Sequence, residues 1–189
     1  RDIGLIRQLD LQLRYSLETH IHADHLTGGG LLREALGCRI GVHANSQANC
    51  AEIWLQDGDS LDLGDETLQV LHTPGHTNTD VCFLADGFIL TGDTLLIQGS
   101  GRTDFQSGDP GQAYDSIMQK IFTLADTTVI YPGHDYQGLT QSTVGEEKTY
   151  NPRLRKQSRS DYIRIMQAMD LPKPRLIDLA VPGNQACGL

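Results

Sequence analysis

The stretch Thr19-His20-Ile21-His22-Ala23-Asp24-His25 constrains this chain more than any other, because three imidazoles and a carboxylate fall within six residues. Neutral imidazole nitrogen and carboxylate oxygen suit zinc, iron and manganese. A single histidine in a polar loop is more often a cap or a hydrogen-bond partner. Four candidate ligands at H-x-H-x-D-H spacing point instead to a metal. The flanks locate them. Arg14 to Thr19 reads as a short strand, and Leu26-Thr27-Gly28-Gly29-Gly30 reads as a glycine-rich entry into a helix. The cluster therefore sits on a strand-to-helix loop, where a scaffold aims several side chains at one point. His20 and His22, two apart, point the same way if strand geometry continues. Asp24 and His25 lie on the bend and turn toward a second position beside the first.

The rest of the chain supplies more strand ends. Ile3, Ile6, Leu9 and Leu13 make one stripe at helical spacing, with Asp2 as a cap candidate. Leu31, Leu32, Ala35 and Leu36 predict a short helix ended by Gly37, and Cys38 to His43 a buried strand. Leu61, Leu63, Leu68, Val70 and His72 alternate with polar residues across Gly64-Asp65, a hairpin pattern. Val81-Cys82-Phe83-Leu84 and Phe88-Ile89-Leu90-Thr91 flank Asp86-Gly87, a second hairpin. A helix is expected from about Gly111 to Leu124, with Ala113, Ile117, Ile121 and Leu124 on its buried face, then a strand from Thr127 to Tyr131. Thr143 to Lys148 reads as a short helix broken by Asn151-Pro152-Arg153, and a final helix runs from Ser160 to Met169, stopped by Leu171-Pro172-Lys173-Pro174. Hairpins interrupt the alternation of strands and helices, so a layered α/β sandwich with mixed sheets fits better than a wholly parallel sheet.

Bulk properties narrow the function. With 189 residues the chain is read as one domain, 1–189. A net charge of −9 argues against a nucleic-acid phosphate binder. No apolar run approaches the roughly 20 residues that cross a bilayer, and no signal-peptide pattern opens the chain. Cys38, Cys50, Cys82 and Cys187 form no C-x-x-C pair and are read as free thiols in a reducing compartment rather than as a disulfide framework.

Besides the first cluster, candidate ligands follow a glycine at three strand ends: Pro74-Gly75-His76, Gly92-Asp93 and Pro132-Gly133-His134. Glycine permits tight turning and close approach there. His72 and His43 lie outside these patterns and are read as structural. In order and spacing, the 19–25 cluster with His76, Asp93 and His134 resembles the metallo-β-lactamase superfamily. Gly99-Ser100-Gly101-Arg102-Thr103-Asp104-Phe105-Gln106, Ile130-Tyr131-Pro132-Gly133-His134-Asp135-Tyr136, Asn151-Pro152-Arg153-Leu154 and the tail with Val181-Pro182-Gly183-Asn184 and Cys187-Gly188 resemble its persulfide dioxygenases.

That resemblance implies a four-layer αββα sandwich, whose usual N-terminal strands are missing from this sequence. It implies one Fe(II) per chain held by His20, His76 and Asp93, leaving positions for water, substrate and O2. His22, Asp24, His25 and His134 then orient those ligands or belong to a vacated second metal site. The implied reaction oxidises glutathione persulfide with O2 and water to sulfite and glutathione. Arg102 suits a glutathione carboxylate, or else pairs with Asp104 or Asp109 to hold its loop, and Tyr136 suits a polar contact near the thiol end. The rival reading is a dinuclear zinc hydrolase of glutathione thioesters, resembling glyoxalase II, with two zinc ions activating a bridging hydroxide. Expected partners are glutathione persulfide and O2, with a second copy of the chain (a homodimer) and a sulfurtransferase as further candidates. The implied location is cytoplasmic, or the mitochondrial matrix if the source is eukaryotic.

Overall fold

Period-two alternation builds the larger of two sheets. The computed structural model describes residues 1–189, which divide into two units, Gln56–Leu171 and Arg1–Leu55 with Pro172–Leu189.

The first unit opens with α1 (Asp2–Gln8), followed by β1 (Tyr15–Leu17), α2 (Gly29–Leu36), β2 (Arg39–His43) and β3 (Ile53–Leu55). The three strands form a parallel sheet in the order β1-β2-β3, with Ser16 beside Ile40 and Gly41 beside Ile53. The expected first helix is corrected: it stops at Gln8, buries no residue, and has Arg1 rather than Asp2 at its N-cap. Asp10 turns left-handed (φ 51°), so the stripe never reaches Leu13. α2 ends as expected at Gly37 in the left-handed region (φ 71°). The C-terminal stretch carries a further helix, α6 (Ile177–Gln185), so the helix near 160–169 is not the last. Pro182 lies inside α6 and removes one N–H from its ladder, which hides the helix from a reading based on breakers. Cys187 packs with Ile40, Val42 and Ala48 in a small core. The expectation of four free thiols is also corrected: Cys50 and Cys187 form a disulfide, and only Cys38 and Cys82 are free. The partners are 137 residues apart, a separation that no local pattern announces.

The second unit holds β4 (Ser60–Leu63), β5 (Glu66–His72), β6 (Val81–Ala85), β7 (Phe88–Gly92), α3 (Pro110–Ser116), β8 (Val129–Pro132), β9 (Ser142–Thr143), α4 (Val144–Tyr150) and α5 (Arg159–Gln167). Its six strands run in sequence order. β4 to β7 are antiparallel, β8 joins β7 in parallel, and β9 closes antiparallel. Both expected hairpins are present, turning at Gly64 (φ 69°) and Gly87 (φ 79°). A parallel β7–β8 pair needs a crossover, and α3 provides it. Asp109 caps α3 by accepting the Gln112 N–H at 2.8 Å, and the helix runs on into a π-helical turn, Ile117–Ile121. Ile117 and Ile121 are buried as the stripe requires, against Ile89, Ile130, Val144 and Tyr162. α5 opens on a reciprocal capping box between Ser158 and Asp161.

Candidate metal centre

In the second unit, three strand ends bring His76, Asp93 and His134 together. Glycine makes the approach possible at each. A Cβ on Gly75 would lie 2.3 Å from the Ala113 Cα, and one on Gly133 would lie 2.9 Å from Asp93 Oδ1. Gly101 is tighter still, since its Cβ would meet the Asp93 carbonyl at 2.3 Å and the His76 ring at 2.9 Å. The G-S-G run at 99–101 thus lets a loop pass directly over two candidate ligands.

The hydrogen bonds then assign the ring nitrogens. His76 Nδ1 lies 2.7 Å from the Arg102 carbonyl, which only accepts, so Nδ1 carries the proton and Nε2 is the electron-pair donor. His134 Nδ1 donates to Asp93 Oδ1 at 2.7 Å. His76 Nε2 and Asp93 Oδ2 stand 3.6 Å apart. That is too long for a hydrogen bond. It is close to the roughly 3.0–3.6 Å that separates two neighbouring ligands each about 2.1 Å from one ion. Each candidate ligand is therefore held from behind, by a carbonyl or an imidazole, in the manner of metal ligands. Behind them, burial pushes the Asp80 carboxyl up to about 7, although it accepts from the Thr77 N–H at 2.6 Å. The donor set fits a divalent metal.

The first unit supplies the histidine loop. β1 stops at Leu17, so strand geometry does not continue through the cluster, and the rings of His20 and His22 lie with centroids 4.2 Å apart at a tilt of 59°. His20 is buried and its Nδ1 lies 3.0 Å from Thr19 Oγ1. His22 Nε2 pairs with Glu18 Oε2 at 3.3 Å, while its Nδ1 is buried without any hydrogen-bond partner. A buried orphan nitrogen is rare in proteins and suits a ligand position. Burial pushes Glu18 up, but hydrogen bonds from His22 and Thr27 outweigh it and bring the carboxyl below its usual range. His25 Nδ1 and Asp24 Oδ1 are 3.1 Å apart, and His22, Asp24 and His25 offer ligand atoms within 4.8 Å of one another.

A cavity of about 400 Å3 in the second unit opens on His76, Asp93 and His134, a size typical of small-molecule sites. Arg102 and Tyr136 line it. Arg102 is already engaged: its fork grips Asp104 through Nε and Nη2, both at 2.7 Å, and Nη2 reaches the Leu171 carbonyl at 3.1 Å. Its guanidinium also lies 4.6 Å from the Phe105 ring centre. Of the two roles weighed for Arg102, loop-holding is the one this conformation displays. Tyr136 is 82 % exposed and stacks on the His134 ring. The reading from sequence missed Arg153. It lines the same cavity, donates to the Ser100 carbonyl and has no carboxylate partner. It also missed Glu147, buried beneath the loop, which accepts from the Gln98 N–H, Ser142 and Asn151. The N-P-R motif at 151–153 is the only signal for Arg153, and no motif marks Glu147. His43 and His72 are structural, as read: His43 Nδ1 accepts from the Asn45 N–H, and His72 Nε2 meets the Asn78 carbonyl.

Histidine and aspartate set on glycine-turned strand ends, in a chain that also carries a histidine-rich loop, define a metal-binding protein. The profile of the metallo-β-lactamase superfamily matches residues 2–134. The mitochondrial persulfide dioxygenase ETHE1 of Homo sapiens is 48 % identical over 192 aligned residues, which cover 100 % of this chain and 75 % of that protein. Its Bos taurus counterpart is 47 % identical over the same shares. The crystal structure of ETHE1 from Myxococcus xanthus matches with a TM-score of 0.97 at 46 % identity, covering 100 % of this chain and 84 % of that one. The chain belongs to the metallo-β-lactamase superfamily and, within it, to the persulfide dioxygenases. Its fold is the sandwich of that superfamily, and membership implies a metal site. No helix is long and apolar enough to cross a membrane.

Proposed function

We propose that this protein is a glutathione persulfide dioxygenase that converts glutathione persulfide, O2 and water into sulfite and glutathione at one Fe(II) per chain. Identity of 47–48 % to persulfide dioxygenases across the whole chain is the observation that carries the reading. His20, His76 and Asp93 would hold the iron, two imidazoles and one carboxylate, the donor set of non-haem iron oxygenases. Bound iron would supply the redox chemistry that brings O2 and the persulfide sulfur together. The chain's own residues do the rest. The Arg102 carbonyl keeps the His76 proton on Nδ1 and presents Nε2. His134 holds one oxygen of Asp93 and so aims the other. Leu96, Ile97, Met169 and Leu171 give the cavity an apolar wall that limits water.

Substrate binding needs a local cation, because the chain carries a net charge of −9 and the substrate is anionic. Arg153 has no carboxylate to give up, so it takes a glutathione carboxylate, with Arg102 as the second cation and Tyr136 as a polar contact near the thiol end. The superfamily match at 2–134 runs across both units, which supports one working domain over 1–189. A homodimer, a sulfurtransferase that loads the persulfide, and a cytoplasmic or mitochondrial matrix location complete the proposal.

The second reading, a dinuclear zinc thioester hydrolase, draws on the close grouping of His22, Asp24 and His25. One experiment separates the two. Protein purified without oxygen is assayed for metals, O2 uptake with glutathione persulfide, and thioester hydrolysis. One iron per chain with sulfite formed in step with O2 uptake is expected. Two zinc ions with thioester hydrolysis and no O2 uptake would overturn it.

A further inference from the structure

β1 ends at Leu17 and α2 begins at Gly29, so the residues between them have no ladder of their own. Beside the local bonds that Glu18 makes with His22 and Thr27, three bonds reach them from the far end of the chain, within the same unit. The Asn184 side chain is 3 % exposed and uses its whole carboxamide on this loop. Its Oδ1 accepts from the Thr27 N–H at 2.8 Å, and its Nδ2 donates to the His22 and His25 carbonyls at 2.9 and 2.8 Å. One acceptor meets one donor and two donors meet two acceptors, so no other orientation of the amide satisfies the site.

The segment around Asn184 is pinned as well. Cys187 is bonded to Cys50. It sits at φ 59°, in the left-handed region that side-chain-bearing residues rarely adopt. Its carbonyl accepts from the Gly30 N–H at 2.8 Å. Gly188 follows at φ 78°, so close that a Cβ there would lie 2.1 Å from the Thr27 carbonyl. The Asn49 N–H donates to the Gln185 carbonyl at 3.1 Å, and Gln185 Nε2 donates to the Ser46 carbonyl at 3.2 Å.

We propose that residues 184–188 are a clamp on the metal-binding loop, with Asn184 as its positioning residue and the Cys50–Cys187 disulfide as its tether. Reduction of a bond distant in sequence from every ligand then loosens the loop that presents His20 and His22. The exchange balances with a dithiol. One thiolate attacks the sulfur of Cys50, which is the more exposed partner, and Cys187 leaves as a thiolate and takes up a proton. The second thiol displaces Cys50. The protein gains two electrons and two protons, and the dithiol becomes a cyclic disulfide. That the loop carries metal rests on the function proposed above, but the clamp itself does not.

The test uses full-length protein, with and without dithiothreitol, as wild type, Asn184→Asp and the Cys50→Ser/Cys187→Ser pair. Asn184→Asp keeps the acceptor for Thr27 but turns a second oxygen on the two carbonyls. Amide hydrogen exchange is read at Thr27 and Gly30 in metal-free protein, and metal loss to a chelator in loaded protein. In Asn184→Asp and in reduced wild type, exchange at these amides is expected to quicken by about tenfold or more, with β7 and β8 unchanged. Metal loss is expected to quicken by roughly 10–100-fold. The serine pair should be fast with or without dithiothreitol. Unchanged exchange at Thr27 and Gly30, or an equal rise across β7 and β8, would overturn the clamp. Fast exchange with unaltered metal loss would overturn its bearing on the metal. If Asn184→Asp does not fold, reduced wild type decides alone. A wild-type chain that takes up no metal sinks the proposed function, while the exchange still decides the clamp.

Discussion

The strand ends of the larger sheet and the histidine loop of the other unit carry the same ligand chemistry on different supports. His76, Asp93 and His134 each follow a glycine at the end of a strand or of its exit turn, and the Arg102 carbonyl and the His134–Asp93 hydrogen bond that orient them belong to the second unit. The loop from His20 to His25 follows a three-residue strand and takes two bonds from Asn184, 159 and 162 residues away. A strand end inherits its position from the sheet, because its neighbours in the ladder are already paired. A loop has only the contacts that reach it. The first kind of site is rigid by construction. The second is rigid by attachment, and attachments can be cut one at a time.

Removing a ligand from either support tests whether both contribute to one metal. Asp93→Ala leaves His134 without its acceptor and removes the one carboxylate of the proposed set. Metal and sulfite formation should be lost together, by more than the roughly 100-fold upper range for changes behind a ligand. His20→Ala should match it. If His20→Ala keeps full metal while Asp93→Ala loses it, the loop is not part of the ligand set and the comparison collapses to one site on the sheet.

Residues behind the ligands should cost less. His134→Ala frees Asp93 to rotate but leaves the proposed triad intact, so one iron should stay bound while affinity or activity falls roughly 10–100-fold. A drop from two metals to one in that variant would favour the dinuclear zinc enzyme.

Crowding sharpens the contrast further. Gly101→Ala puts a methyl 2.3 Å from the Asp93 carbonyl, and Gly188→Ala puts one 2.1 Å from the Thr27 carbonyl. Overpacking of this kind costs about 1–3 kcal/mol. In Gly101→Ala the obstacle is backbone one residue beyond β7, tied to the 99–101 loop by the Gly101 N–H, so thermal stability should fall. In Gly188→Ala the obstacle sits on the loop, so the loop should shift, with faster metal loss and a smaller change in melting temperature. Equal melting shifts in the two variants would mean the loop is as firmly built as the strand ends.

Much of this was legible in the sequence because it is local. H-x-H-x-D-H packs its ligands into six residues, and the glycine before His76, Asp93 and His134 marks each strand exit. Both hairpins announced themselves through Gly64-Asp65 and Asp86-Gly87, whose backbones turn where only glycine turns easily. What escaped the sequence depends on distance. β3 has three residues and no period to read. α6 hides behind Pro172, Pro174 and Pro182. Nothing near Cys50 points to Cys187, and nothing near Glu147 foretells a carboxylate buried beneath Gln98.

The smallest expected effect concerns the two arginines of the cavity, and it turns on what each must give up. Arg153 donates to the Ser100 carbonyl and has no carboxylate partner. A substrate carboxylate would therefore add a charge-assisted bond at little cost, worth about 1.5–3 kcal/mol. Arg153→Gln should lower kcat/KM roughly ten- to a hundredfold with metal retained. Arg102 starts from a two-point grip on Asp104, a residue that is itself half exposed. Gripping a substrate means releasing that carboxylate or sharing it, and an exposed pair of this kind is itself worth about 0.2–1 kcal/mol. Its net contribution to binding is the difference, so the loss in Arg102→Gln should be smaller than that in Arg153→Gln by up to about fivefold. The variant also strips the loop whose carbonyl holds His76 Nδ1, so part of the loss should appear as weaker metal retention rather than raised KM. Asp104→Asn separates the two roles. It releases Arg102 for substrate while weakening the loop, so KM should fall if Arg102 binds glutathione and metal retention should fall if Arg102 serves only the loop. Steady-state kinetics normalised to bound metal, run on the three variants, read both quantities at once. A larger loss in Arg102→Gln than in Arg153→Gln would reverse the assignment and make the paired arginine the principal anchor.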